Sequence, residues 1–265
     1  MFQTFLLNLD KDTERLVFMQ TQLKERGINY ERIPGVYGKT YAPTKEEYDA
    51  EAAVLKTEHA LLRGEIGCAL SHVAAYKKII AAGLPFTLIL EDDVALPRDF
   101  KARVQEMIAR QPTTDFEYLL FDYVPVGLPY LKQWVKGVLR NTQSRWRISP
   151  LESIRFFLYA LIKMFYIVPL CLFEGWRDRY SRTKPGPVRF FRPVYFAGAY
   201  LVTLRGAEKL LALAEPVIYT ADQLPNRARL YKQLRFFCYA PRIVGQEKER
   251  FGSSILDLSG EEIYN

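Results

Sequence analysis

Three consecutive carboxylates, Glu91-Asp92-Asp93, close an apolar run, Phe86-Thr87-Leu88-Ile89-Leu90. The run follows a Gly83-Leu84-Pro85 turn and reads as a buried strand. Acids crowded at a strand end raise one another's pKa by like-charge repulsion. A divalent ion removes that cost, and hard oxygen ligands select Mg²⁺ or Mn²⁺. An ion held by few protein ligands can in turn carry a diphosphate. The plainer alternative is a solvated acidic turn. The strand context argues against it, and so does the segment upstream, Leu62-Arg63-Gly64-Glu65-Ile66-Gly67-Cys68-Ala69-Leu70-Ser71-His72.

Together the two segments resemble the family-25 glycosyltransferases of lipopolysaccharide and lipooligosaccharide synthesis. That family carries a Gly-Glu-Ile-Gly-Cys-x-x-Ser-His helix and then a Leu-Glu-Asp-Asp strand end, and both occur here in that order. The resemblance extends to Leu7-Asn8-Leu9-Asp10 and Arg15, to Ala199-Tyr200-Leu201-Val202-Thr203, to Asp222, and to Gln246 with Ser253-Ser254-Ile255. It implies a GT-A fold, a nucleotide-sugar donor and inversion at the transferred sugar. It also implies a UDP-hexose, galactose first, and a lipid-linked oligosaccharide acceptor. UDP-glucose with another acceptor is the alternative within the same chemistry.

Glycosyl transfer must neutralise the diphosphate leaving group, deprotonate the acceptor hydroxyl and hold the partners in line. By family analogy Asp93 is the surest metal ligand. Glu91 binds metal or ribose, and Asp92 supports the donor site from behind. Asp222 follows Tyr219-Thr220-Ala221 and is the candidate base; an N-cap is its structural alternative. Asn8 suits base or ribose contacts. Arg15 can pair with diphosphate or simply face solvent on its helix. Glu65 can contact the donor or serve its helix dipole. His72, beside Ser71, can reach donor phosphate or tie its helix to the sheet. Gln246 can reach the donor or stand in an exposed loop. Gly67 and Cys68 read as allowing close helix packing, and Tyr200 as core. His59 lies in a polar region with no pattern around it.

The elements that must position these residues alternate. Phe2–Leu9 reads as a strand. A helix follows with Leu16, Met19 and Leu23 inward, Asp10 or Asp12 as its cap and Gly27 as its stop. Ile28–Ile33 reads as a second strand, 44–58 as an exposed helix, and Glu65–Ala82 as a stronger helix. Arg98–Arg110 reads as a helix, Tyr118–Tyr123 as a strand, 194–204 as a long strand, and 206–214 as a helix. A helix from Asp222 to Lys232 and a strand Phe236–Tyr239 complete the series. The pattern is α/β with a mainly parallel sheet, and such sheets bind ligands beyond their strands' carboxyl ends. Asn8 and Glu91-Asp92-Asp93 both lie there.

The 265 residues, 49% hydrophobic and 14% aromatic, suffice for one domain with an insertion. The N-terminus lacks a basic signal-peptide region. Three widely spaced cysteines form no metal-finger or redox pattern and suit reduced thiols in the cytoplasm. The net charge is +7, but Gly127 to Arg192 holds 13 Lys or Arg against 3 Asp or Glu, leaving −3 for the rest. That excludes a uniformly basic nucleic-acid binder and suggests a local anionic partner. No Gly-rich phosphate loop and lysine lie near the first strand, which counts against a nucleotidyltransferase. A non-catalytic membrane-bound scaffold would not need the acids.

The resemblance fades over 127–193. There Ile154–Phe173 is long enough to span a bilayer but carries Arg155, Lys163 and Pro169. Its flanks are aromatic and basic, with Trp134, Trp146, Trp176, Arg140, Arg145, Arg147, Arg177, Arg179 and Arg182. The expectation is an in-plane or hairpin helical insert resting on the anionic cytoplasmic leaflet, with the enzyme peripheral on the inner membrane face.

Overall fold

The computed structural model describes residues 2–57, 60–123, 135–136, 138–139, 150–190 and 193–252. Two compact units emerge: Met1–Tyr123 with Pro187–Asn265, and Val124–Gly186. His59, Trp134, Arg140, Arg145, Trp146, Arg147 and Ser253-Ser254-Ile255 lie outside the described residues.

In the first unit the run Thr87–Leu90 is wholly buried, as a strand covered on both faces requires. It belongs to β3 (Phe86–Glu91). Its parallel neighbour β1 (Gln3–Asn8) pairs on the other side with β2 (Glu31–Pro34), also in parallel. On the far side of β3 runs β7 (Ala199–Thr203), antiparallel to both β3 and β5 (Tyr118–Leu120). β5 pairs in parallel with β8 (Phe236–Ala240), and β6 (Gly186–Val188) ends the order β2-β1-β3-β7-β5-β8-β6. The seven-stranded, mostly parallel sheet flanked by helices is the α/β architecture expected.

Helix α1 (Thr13–Glu25) buries Met19 and Leu23, with α4 (Phe100–Thr114) burying Val104 and Met107, in one core with Leu6, Leu88, Leu90 and Leu119. Gly27 at φ 59 stops α1, and Gly83 at φ 59 follows α3 (Arg63–Ala81); both take the left-handed conformation glycine tolerates. α2 (Ala50–Thr57) is shorter than the 44–58 helix expected, because Glu47 bonds the Thr44 N–H in a turn before it.

Other boundaries also differ from the sequence expectation: β2 starts at Glu31 rather than Ile28, α4 runs from Phe100 to Thr114 rather than from Arg98 to Arg110, β5 ends at Leu120 rather than Tyr123, and three more follow. The 194–204 strand is confined to β7, although the Gly198 carbonyl still accepts from Glu91 N–H at 2.7 Å. The next helix, α6 (Leu204–Ala214), starts early because Thr203 caps it through the Gly206 N–H. The helix from Asp222, α7 (Gln223–Leu230), stops short of Lys232, whose φ of 56 is left-handed.

The second unit contains α5 (Pro150–Ser181), a continuous 32-residue helix with no hairpin turn inside it. A window within Ser153–Arg177 has mean hydropathy 2.1 and is only 12% buried, so α5 is long and apolar enough to cross a membrane by length and composition. Ser153, Ala160, Cys171, Glu174 and Ser181 are buried, while Leu151, Ile154, Leu158, Ile162, Phe165, Leu172 and Trp176 are exposed. At 3.6 residues per turn the two sets lie on opposite sides, so the apolar side of α5 is the solvent side.

Candidate active site

A cleft of ≈ 390 Å³ opens beyond the carboxyl ends of β1 and β3, and every residue lining it belongs to the first unit. The parallel register sets Leu7 beside Glu91, so both strands deliver their last residues to one place. Asn8, Arg15, Glu65, Ser71, His72, Glu91, Asp92, Asp93, Asp222 and Gln246 all line it. The site residues chosen from sequence are therefore gathered in one cleft, although they come from six separate stretches of chain.

Their hydrogen bonds divide them by task. Asp92 is buried; its Oδ2 accepts from Asn8 Nδ2 at 2.7 Å and its Oδ1 from Arg15 Nη1 at 3.1 Å. Burial pushes the Asp92 carboxyl above its usual range, against the pull of Asn8 and Arg15. Arg15 is buried rather than solvent-facing. Its guanidinium also donates to the Phe251 and Gly252 carbonyls and stands 3.7 Å from Asp93 Oδ2. Asn8 is occupied too: Nδ2 donates to the Asp12 carbonyl and Oδ1 accepts from Arg32. Asn8, Arg15 and Asp92 thus brace the acidic turn.

The rest of α1 does the same work further along. Gln22 bonds both Val94 and Leu96 through their backbones, and Arg26 donates to the Leu96 and Pro97 carbonyls. A two-stranded ribbon of β4 (Val94–Ala95) and β9 (Gly245–Gln246) holds the turn from the other side. Gln246, expected as a donor contact or exposed loop residue, is therefore a half-buried strand residue. Its Nε2 donates to Glu91 Oε2 at 3.4 Å, and its buried Oε1 has no hydrogen-bond partner among the described residues.

On α3 the motif residues are also tied. The Glu65 carboxylate accepts from the Leu62 N–H at 2.8 Å, closing the helix N-terminus. Ser71 Oγ donates to the Gly67 carbonyl and accepts from the Val36 N–H, pinning the 35–39 loop. A Cβ on Gly67 would sit 2.5 Å from the Val36 carbonyl oxygen, and one on Gly38 only 1.8 Å from that of Arg63. These two glycines let loop and helix touch through their backbones. His72 bridges helix and sheet: Nδ1 meets Tyr200 Oη at 2.8 Å and Nε2 meets Glu91 Oε1 at 3.2 Å. Cys68 Sγ is 3.9 Å from the same carboxylate oxygen. Burial, then the negative charges of Glu91 and Asp222, raise this thiol well above its usual range.

Asp222 occupies the N-cap position of α7 but makes no capping bond. Thr220 Oγ1 takes the Gln223 N–H instead and donates to Asp222 Oδ1 at 2.5 Å. The carboxylate is left half-buried at the cleft. Cleft oxygens from Glu91, Asp93 and Gln246, with a buried Gln246 oxygen still to be satisfied, suit a hard divalent ion.

The family model described as "Glycosyltransferase family 25 (LPS biosynthesis protein)" matches residues 1–225. The chain belongs to glycosyltransferase family 25. Procollagen galactosyltransferase 1-A of Xenopus laevis is 26% identical over 174 residues, 58% of this chain and 27% of that protein. Human procollagen galactosyltransferase 2 is 30% identical over 112 residues, 40% and 18% respectively. The mouse protein named inactive glycosyltransferase 25 family member 3 is 25% identical over 120 residues, 40% and 19%. The matches thus span about a quarter or less of these relatives. A glycosyltransferase involved in the glycosylation of the major capsid of PBCV-1, known as a crystal structure, aligns with 91% of this chain and 81% of its own at 11% identity and a TM-score of 0.40.

Several cleft residues of this family-25 chain escape a sequence reading. Tyr37 and Lys39 arrive on the loop that Ser71 pins. Phe196 holds φ 88, a conformation that costs a non-glycine residue about 1–3 kcal/mol and recurs at ligand sites. Behind the cleft, and not lining it, Asp122 is wholly buried just past β5, 2.6 Å from where a Gly198 Cβ would be, with Gln246 Nε2 at 3.0 Å from that point. The one signal for Asp122 was its place at the carboxyl end of a strand.

Proposed function

We propose that the chain is a metal-dependent, inverting hexosyltransferase that moves a sugar, galactose first, from its UDP donor to a lipid-linked oligosaccharide. The observation that carries this reading is the cleft itself, which joins an acidic strand end to a second carboxylate, Asp222, that caps nothing. The family description names lipopolysaccharide biosynthesis, and the relatives' names supply galactose. Glu91 and Asp93 would hold Mn²⁺ or Mg²⁺, which when bound offsets the charge of the leaving diphosphate. Asp92, gripped by Asn8 and Arg15, keeps both neighbours in place. Asp222 takes the proton of the attacking acceptor hydroxyl, while its Thr220 bond fixes the carboxylate's orientation. The exposed apolar side of α5 rests on the anionic inner leaflet and brings the enzyme to its lipid-linked acceptor.

A panel of UDP-sugars with Mn²⁺ and lipooligosaccharide, read as UDP release and product mass, tests the proposal. UDP-galactose is expected to be the best donor. No UDP release from any sugar would leave the non-catalytic scaffold reading, and the mouse relative is named inactive; release only with a protein acceptor would overturn the lipid-linked one.

A further inference from the structure

Cys68 and His72 stand four residues apart on one face of α3, and Glu91 faces them from the end of β3. One ligand atom each from Cys68, His72 and Glu91 lie within 4.8 Å of one another. The Nε2–Oε1 separation is 3.2 Å and the Sγ–Oε1 separation 3.9 Å. A tetrahedral zinc ion, with Zn–S about 2.3 Å and Zn–N or Zn–O about 2.0–2.2 Å, sets such ligand atoms roughly 3.3–3.6 Å apart. Both separations lie within a few tenths of an ångström of that range, and the remaining pair, Cys68 with His72, lies within 4.8 Å.

The proton inventory points to a cation at the same place. Tyr200 Oη donates its only proton to Tyr76 Oη at 3.1 Å. Toward His72, 2.8 Å away, Tyr200 can then only accept, so the imidazole proton is on Nδ1. With the imidazole neutral, Nε2 turns a lone pair toward Glu91 Oε1. A positive centre between these two atoms, a proton or a metal ion, completes the contact. Metal-binding histidines show this same pattern, with the outer ring N–H held by a second hydrogen bond.

We propose that Cys68, His72 and Glu91 form a site for a thiophilic divalent cation of the zinc class in the wall of the cleft. One sulfur, one imidazole nitrogen and one carboxylate favour zinc over magnesium or manganese, and three protein ligands leave the fourth position open. On binding, a Zn–S bond replaces the S–H bond of Cys68 and the proton passes to buffer. The site stands without the transferase reading. One consequence rests on that reading: zinc takes Glu91 away from the donor metal and so inhibits transfer.

The test uses the full chain without nucleotide. Equilibrium dialysis is expected to give one bound Zn²⁺, with one proton released per ion in calorimetry. Co²⁺ is expected to give a thiolate-to-cobalt charge-transfer band with the intense visible bands of tetrahedral cobalt, and Zn²⁺ to slow alkylation of Cys68. Cys68→Ser removes the charge-transfer band and weakens Zn²⁺ binding at least about tenfold, and Glu91→Gln weakens binding by a similar factor without removing the thiolate ligand. His72→Gln adds a third arm; if it does not fold, the cobalt spectrum and alkylation of the native chain still decide. An octahedral cobalt spectrum without the thiolate band, or Zn²⁺ affinity unchanged by Cys68→Ser, overturns the site. Zinc binding without any transferase activity upholds the site and counts only against the proposed function.

Discussion

Two buried carboxylates at opposite ends of the sheet meet opposite fates. Glu117 precedes β5 and is 1% exposed. It accepts from Lys209 Nζ at 2.7 and 2.8 Å and from the Arg235 N–H at 2.9 Å. Burial pushes its pKa up, but Lys209 and Arg235 more than reverse this, and Glu117 stays below the usual carboxylate range. Asp92, beyond β3, has a buried cation and an amide, yet burial still wins. At one end the fold has neutralised an acid for its own stability. At the other it has gathered acids, and for Asp92 the cost of burial outweighs the pull of its partners.

The difference is broken most directly at Asp93. Asp93→Asn is expected to abolish transfer, weaken UDP binding and remove its Mn²⁺ dependence in calorimetry. Full Mn²⁺-dependent affinity would take Asp93 out of the metal site. Asp222→Asn should lower turnover by about 10²–10⁴-fold, with UDP affinity near wild type, in steady-state assays paired with calorimetry. Normal turnover would assign the base elsewhere.

Changes in stability sharpen the contrast. Glu117→Gln should cost about 1.5–3 kcal/mol in denaturant unfolding and leave UDP binding intact. Because the folded pKa of Glu117 lies below its ordinary 4.5, this deficit is complete above that pH and vanishes as pH falls through the lowered value. Asp92→Asn should show the opposite slope. The folded pKa is raised above 3.8, so the wild type pays for ionised Asp92 only as pH rises through that window, and the variant gains relative to it there. Parallel slopes for the two variants would erase the distinction. The smallest effects belong to the second unit. Arg177→Glu and Arg182→Glu should each weaken binding to anionic liposomes by about 1 kcal/mol, roughly fivefold, in a salt-dependent way. Equal binding to neutral and anionic vesicles would remove the membrane reading.

Much of this was legible in the chain. Thr87–Leu90 and the faces of α1 and α3 could be read because burial imposes a period on apolar residues. The acidic triplet could be read because its cost demands a partner. What each polar side chain holds was not legible. Arg15 looks like one more charge on an amphipathic helix until Phe251 and Gly252, far along the chain, supply its carbonyl partners. Asp222 looks like a cap until Thr220 takes the N–H. The direction of β7 was hidden as well, since a strand's residues carry no mark of which way its neighbour runs. The sequence left Ile154–Phe173 open between an in-plane helix and a hairpin, and within the described residues α5 runs through it unbroken, Pro169 included.

The β4–β9 ribbon and the Arg15 carbonyl contacts have a consequence for biosynthesis. Synthesis runs from the N-terminus, so β1, α1, α3 and β3 leave the ribosome well before Gly245–Gly252. Until those last residues arrive, the acidic turn lacks one of its two braces, and Arg15 lacks its Phe251 and Gly252 acceptors. A nascent chain stalled before residue 245 therefore holds every carboxylate of the site but not their final arrangement, and the ability to engage a donor comes late in translation.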